Sequence, residues 1–129
     1  MAEHVPLVAI VDDEEPIRKA LKRLMRAANL EAEAFASGAD FLDSLVNRRF
    51  DCVILDLHMP GMSGLHVLQR LQQSGLNLPA IVITAYDEPE TRTYCLAAGA
   101  AAYLRKPLED RPLLDAVASA AKTRKNGTG

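Results

Sequence analysis

Asp12 with Asp13, Asp56, Thr84 and Lys106 each close or follow a short, mostly aliphatic run: LVAIV, CVIL, AIVI and AAYLR. If those runs are neighbouring parallel strands, three carboxylates, one hydroxyl and one ammonium share a crevice. Three carboxylates opposed by a single ammonium leave excess negative charge, which is costly to bury without a compensating cation. An all-oxygen set predicts Mg²⁺, with Mn²⁺ able to substitute, because hard divalent cations take oxygen ligands. Magnesium commonly combines one or two carboxylates with phosphate oxygens, which leaves room for an incoming phosphoryl group. A carboxylate there can act as nucleophile while Lys106 and a hydroxyl neutralise the charge that develops.

Singly, each residue has a plainer reading. Asp12 and Asp13 could serve only a helix dipole, Asp56 only a loop cap, and Lys106 only a solvated surface. Thr84 could bond its own turn. Their joint occurrence at strand ends favours the shared crevice. A ligating His58 ring would suit zinc, copper or nickel and conflicts with the magnesium reading. His66 reads as an exposed helical residue, and Met59 and Met62 as packing around a Pro-Gly turn.

Five strand-like runs alternate with stretches at helical spacing, the pattern of a parallel sheet flanked by helices. The expected fold class is α/β: a single-domain, doubly wound (βα)5 flavodoxin-like sheet, whose order 2-1-3-4-5 makes strands one and three neighbours. The strands are predicted at Leu7 to Val11, Glu31 to Phe35, Cys52 to Leu55, Ala80 to Ile83 and Ala101 to Leu104. Glu31 to Phe35 alternates charge with alanine, as an edge strand does. Ile17, Leu21, Leu24 and Ala28 mark the inner face of the first helix. Phe41, Leu42, Leu45 and Val46 mark that of the second, which Ser37 caps. Leu65, Leu68 and Leu71 mark the third, ending near Gly75. The fourth, opening at DEPET, is the least apolar; the fifth starts near Asp110 and carries Leu113, Leu114, Val117 and Ala121.

At 129 residues the chain has room for one domain, with an ordinary core and no need of a staple. Its two cysteines, Cys52 and Cys95, lack zinc-ligand spacing and read as buried, reduced thiols. The start MAEHVPLV is not a signal sequence, and no window approaches the ~18 apolar residues of a membrane span. A cytoplasmic location is therefore expected. A formal charge of -2 gives no reason to expect a nucleic-acid surface. Lys122, Arg124 and Lys125 read as a solvated helix end. The domain is expected over 1–122, with 123–129 a tail that could begin a linker.

Four segments together carry a family resemblance: IVDDEEPIR, VILDLHMPGMSGL, IVITAYDE and AGAAAYLRKPLED. In this order, over about a hundred residues, the chain resembles the receiver domains of two-component response regulators. Its wording is most like receivers that precede LuxR-type DNA-binding output domains. The resemblance implies that Asp56 is the phosphorylated aspartate. It implies that Asp12 and Asp13 hold the metal with Asp56 and the His58 main-chain carbonyl. Thr84 then contacts the phosphoryl group, Ala85 leaves the acceptor accessible, Lys106 pairs with the phosphoryl group, and Lys106-Pro107 is cis. Tyr103 matches the aromatic switch, whose ring turns inward when the hydroxyl moves. Leu108 stands where phenylalanine is frequent, and His58 and Tyr86 occupy positions that vary and tune dephosphorylation.

The implied function is a switch that takes a phosphoryl group from a sensor histidine kinase or phosphotransfer protein. It then alters a surface made by the fourth helix, fifth strand and fifth helix, for homodimerisation or release of an output domain. It is not an enzyme with a separate substrate. A stand-alone regulator or phosphorelay intermediate is the alternative. An aspartate-nucleophile phosphatase would carry an acid two residues after the nucleophile, where His58 stands. A phosphorylation-independent module usually lacks the acceptor or the lysine, and both are present.

Overall fold

The computed structural model describes residues 4–127. Five parallel strands run in the order β2-β1-β3-β4-β5, with β1 at Leu7–Val11, β2 at Glu31–Phe35, β3 at Cys52–Asp56, β4 at Ala80–Thr84 and β5 at Ala102–Arg105. The helices are α1 (Glu15–Ala27), α2 (Gly38–Ser44), α3 (Gly64–Ser74), α4 (Pro89–Ala97) and α5 (Asp110–Gly127). This is the expected doubly wound sheet. Every residue of β3 and β4 is buried, because helices cover both faces.

One face packs Phe41, Val67, Leu68, Leu71 and Cys95 against Val53, Leu55 and Val82. The other packs Leu21, Met25, Leu113 and Val117 against Ile10, Ile54, Ile81 and Ile83. Phe35, Phe41 and Phe50 form a cluster of rings with centroids 5.7–5.9 Å apart near the β2 edge. Alternation along each strand divides the two clusters, as a period of two requires.

Local chemistry sets the element ends. Ser37 Oγ accepts from Asp40 N–H at 3.1 Å and Ser63 Oγ from His66 N–H at 3.3 Å, capping α2 and α3. Gly75 ends α3 at φ +73°, where a side chain would be strained.

Some details differ from the sequence expectation. α2 stops at Ser44, where the Leu45 and Val46 amides reach back three residues to Leu42 and Asp43. That tighter turn takes Val46 off the inner face, and it is 84% exposed. In α1 the buried pair is Leu21 and Met25, with Ala28 at the C-cap. β3 keeps Asp56 within the strand, and β5 begins one residue later than expected. α5 continues past Lys122 to Gly127, so the tail assigned to 123–129 is helical up to that point; 128–129 lie outside the described residues.

Candidate functional site

The register brings the strand ends level. Val11 pairs with Leu55 and Asp56 with Ile83, so the chain turns out of β1 at Asp12 beside the end of β3. Thr84 pairs with Arg105, and Lys106 N–H donates to the Thr84 carbonyl at 2.7 Å, bringing Lys106 up beside the β4 end. Four separate segments thus meet at one mouth. Carboxylate oxygens of Asp12, Asp13 and Asp56 all lie within 4.8 Å of one another. Asp12 and Asp56 are buried and Asp13 faces solvent.

Lys106 Nζ bridges the two buried acids, at 3.0 Å from Asp12 Oδ2 and 3.4 Å from Asp56 Oδ1. The other Asp12 oxygen accepts from Glu14 N–H at 2.9 Å, and Arg18 donates to the Asp12 carbonyl at 2.8 Å. Asp12 is therefore fixed on both sides. Among the described residues, Asp56 has only Lys106 and a long 3.5 Å contact from His58 N–H. Burial, and then the charge of Asp12, raise the Asp56 carboxyl to about 6, and Lys106 offsets only part of this. For Lys106 burial works downward, but its bond to Asp12 and the charge of Asp56 outweigh it and hold the ammonium above its ordinary value. One free carboxylate edge in an electronegative mouth suits a hard divalent cation.

Thr84 is fully buried at the end of β4, with its hydroxyl turned into the following loop. Oγ1 accepts from Tyr86 N–H at 3.0 Å and donates to the Tyr86 carbonyl at 3.1 Å, so the plainer bond to its own turn is present. Tyr103 is buried, at 7% exposure. The Lys106-Pro107 bond is cis, as expected.

The family model for the response regulator receiver domain matches residues 8–118. The chain belongs to the response regulator receiver domain family. The transcriptional regulatory protein TdiR of Thauera aromatica is 37% identical over 113 residues, 88% of this chain and 50% of that protein. The response regulator protein TodT of Pseudomonas putida is 33% identical over 122 residues, 95% of this chain and 54% of its own length. The receiver thus spans about half the length of these curated relatives. A CheY-like receiver domain protein from Methanospirillum hungatei superposes with a TM-score of 0.89 at 26% identity, covering 96% of this chain and 99% of the other. Among the described residues, no helix of this receiver is long and apolar enough to cross a membrane.

Two features of the site escaped the sequence reading. Gly64, at the start of α3, lies against the Asp56 carbonyl and the Leu57 backbone so closely that a Cβ would collide with both. Its adjacency to Ser63, the α3 cap, was the available clue. His58 and Tyr86, on the loops that follow Asp56 and Thr84, meet edge to face with ring centroids 4.9 Å apart. No spacing rule pairs residues across two loops.

Proposed function

We propose that this receiver is a phospho-acceptor switch in which Asp56 takes a phosphoryl group. The observation that carries this is the bridging of two buried carboxylates by Lys106 at the mouth of the sheet, with Asp13 beside them. Asp12, Asp13 and Asp56, with the His58 main-chain carbonyl, would hold Mg²⁺, for which Mn²⁺ can substitute. The cation, when bound, supplies positive charge to the phosphoryl oxygens. Asp56 attacks phosphorus through a carboxylate oxygen as the bond to the donor nitrogen breaks. Lys106, tethered to Asp12, is placed to pair with a phosphoryl oxygen, and Thr84 can turn its hydroxyl toward another. Water later attacks phosphorus, returning free Asp56 and inorganic phosphate. The domain acts on itself and has no separate substrate.

The donor in this reading is a sensor histidine kinase or phosphotransfer protein in the cytoplasm. Residues 1–122 form the receiver, and 123–129 lead toward a linker and an output domain of the kind TdiR and TodT have length to carry. The receiver itself does not touch nucleic acid; its output surface is α4, β5 and α5, used for homodimerisation or release of the output domain. A stand-alone regulator remains the second reading.

Acetyl phosphate with Mg²⁺ should add one acid-stable, base-labile phosphoryl group, read by intact-mass spectrometry. Equal incorporation in Asp56→Asn would refute the assignment.

A further inference from the structure

Tyr103 occupies the second position of β5, with its ring in the core cluster that also holds Cys95 of α4. Its hydroxyl is shielded from solvent and has no hydrogen-bond partner among the described residues. The Glu88 backbone lies near enough to act on the hydroxyl electrostatically but forms no hydrogen bond with it. A hydroxyl so placed has given up its bonds to water without replacement, which opposes keeping the ring inside.

Arg92 supplies an opposing force. Its guanidinium carbon lies 5.7 Å from the Tyr103 ring centroid, within the range in which a cation is attracted to an aromatic face. Arg92 is exposed, so its head group stays hydrated while covering the ring. Three residues on, Cys95 is the only buried residue of α4, so one helical face carries both the contact with the ring and the anchor in the cluster that holds Tyr103. The inner face of α4 offers little else to seat it.

We propose that Arg92 is a positioning residue that holds the Tyr103 ring inward against its unpartnered hydroxyl, so that one exposed cation helps to seat α4 over β5. The consequence for output rests on the reading of Tyr103 as the coupling residue. Neutralising Arg92, by a partner's carboxylate or by substitution, loosens the ring and with it α4. Signals reaching the outer face of α4 can thereby act on Tyr103 without passing through Asp56.

The test uses the full chain, unphosphorylated and free of metal, with carbon-13 in its tyrosine rings and a soluble paramagnetic probe reporting exposure. The Tyr103 resonance is assigned by its disappearance in Tyr103→Phe. Arg92→Met keeps an apolar stem without charge and should make the ring about two- to fivefold more accessible, the range expected for an exposed cation–π contact. Arg92→Lys should restore most of the shielding. A ring as shielded in Arg92→Met as in the wild type overturns the proposal, because packing alone then suffices. Equal exposure in the Lys and Met variants also overturns it. Phosphate uptake at Asp56 is measured separately, so failure of the acceptor reading would appear there and not in the ring signal.

Discussion

Of the two buried carboxylates at the mouth of the sheet, Asp56 is the less satisfied. It is 3% exposed, faces Asp12, and among the described residues has only the 3.4 Å contact from Lys106 and a weak one from the His58 amide. Its carboxyl is raised from 3.8 to about 6, first by burial and then by Asp12. A folded value above the unfolded one means that the stabilising proton is fully bound below about pH 4 and lost as pH rises through 6. The metal-free domain should therefore lose stability across that window, and Asp56→Asn should not. At pH 7 the variant should exceed the wild type by about 1–3 kcal/mol in urea unfolding, the energy of a shift of this size. Excess Mg²⁺ should narrow the gap by compensating the wild-type charge. Identical pH profiles would mean that Asp56 is not under electrostatic strain. Asp12, Asp56 and Lys106 could be picked out because strand ends in a parallel sheet converge. The bonding of Thr84 could not, since a hydroxyl can serve either its loop or a ligand.

The elements hold the site by close backbone approach as much as by side chains. α3 begins where Gly64 lies against the backbone of Asp56 and Leu57, with Gly64 N–H donating to the Leu57 carbonyl at 2.9 Å. The colliding atoms are main chain, which cannot rotate away. Gly64→Ala should push α3 off the end of β3, cost about 1–3 kcal/mol as an overpacked site does, and slow phosphate uptake by displacing Asp56. A variant of unchanged stability and uptake would show that the loop can absorb the methyl group. Such contacts explain where the sequence is legible and where it is not. Strand runs and the α3 and α5 stripes stand out because period and burial agree, as at Leu68, Leu71, Leu113 and Val117. Val46 was misplaced because a short helix tightened in its last turn, and a pattern of period 3.6 does not register that turn. Gly64 and the His58–Tyr86 contact were hidden because they are made by chain geometry between distant segments.

At the scale of the whole molecule, one end of the sheet carries the buried carboxylates, and the α4 flank is one of the places where large apolar side chains are exposed. Tyr86, Tyr94 and Leu96 are 62%, 45% and 46% exposed, along the loop into α4 and on α4 itself. Tyr94 is tethered to Gln69 of α3 by a side-chain hydrogen bond, and Cys95 is the helix's sole buried anchor. A helix held so lightly can be reseated by a small change at its edge. Thr84 is that edge: its hydroxyl clamps the Tyr86 backbone, through which the chain passes from β4 toward α4. A phosphoryl group on Asp56 adds acceptor oxygens that compete for this hydroxyl through a charge-assisted bond. In the proposed switch, releasing Tyr86 would free the loop and change the fit of the α4 flank to a second copy of the chain. Phosphodonor should accordingly raise the dimer fraction of the wild type in analytical ultracentrifugation. Thr84→Ala should still take phosphate at Asp56, yet show a smaller shift, because its loop has lost the clamp in both states. If phosphorylated Thr84→Ala associates as strongly as phosphorylated wild type, the route through Thr84 is wrong, even with Asp56 as the acceptor.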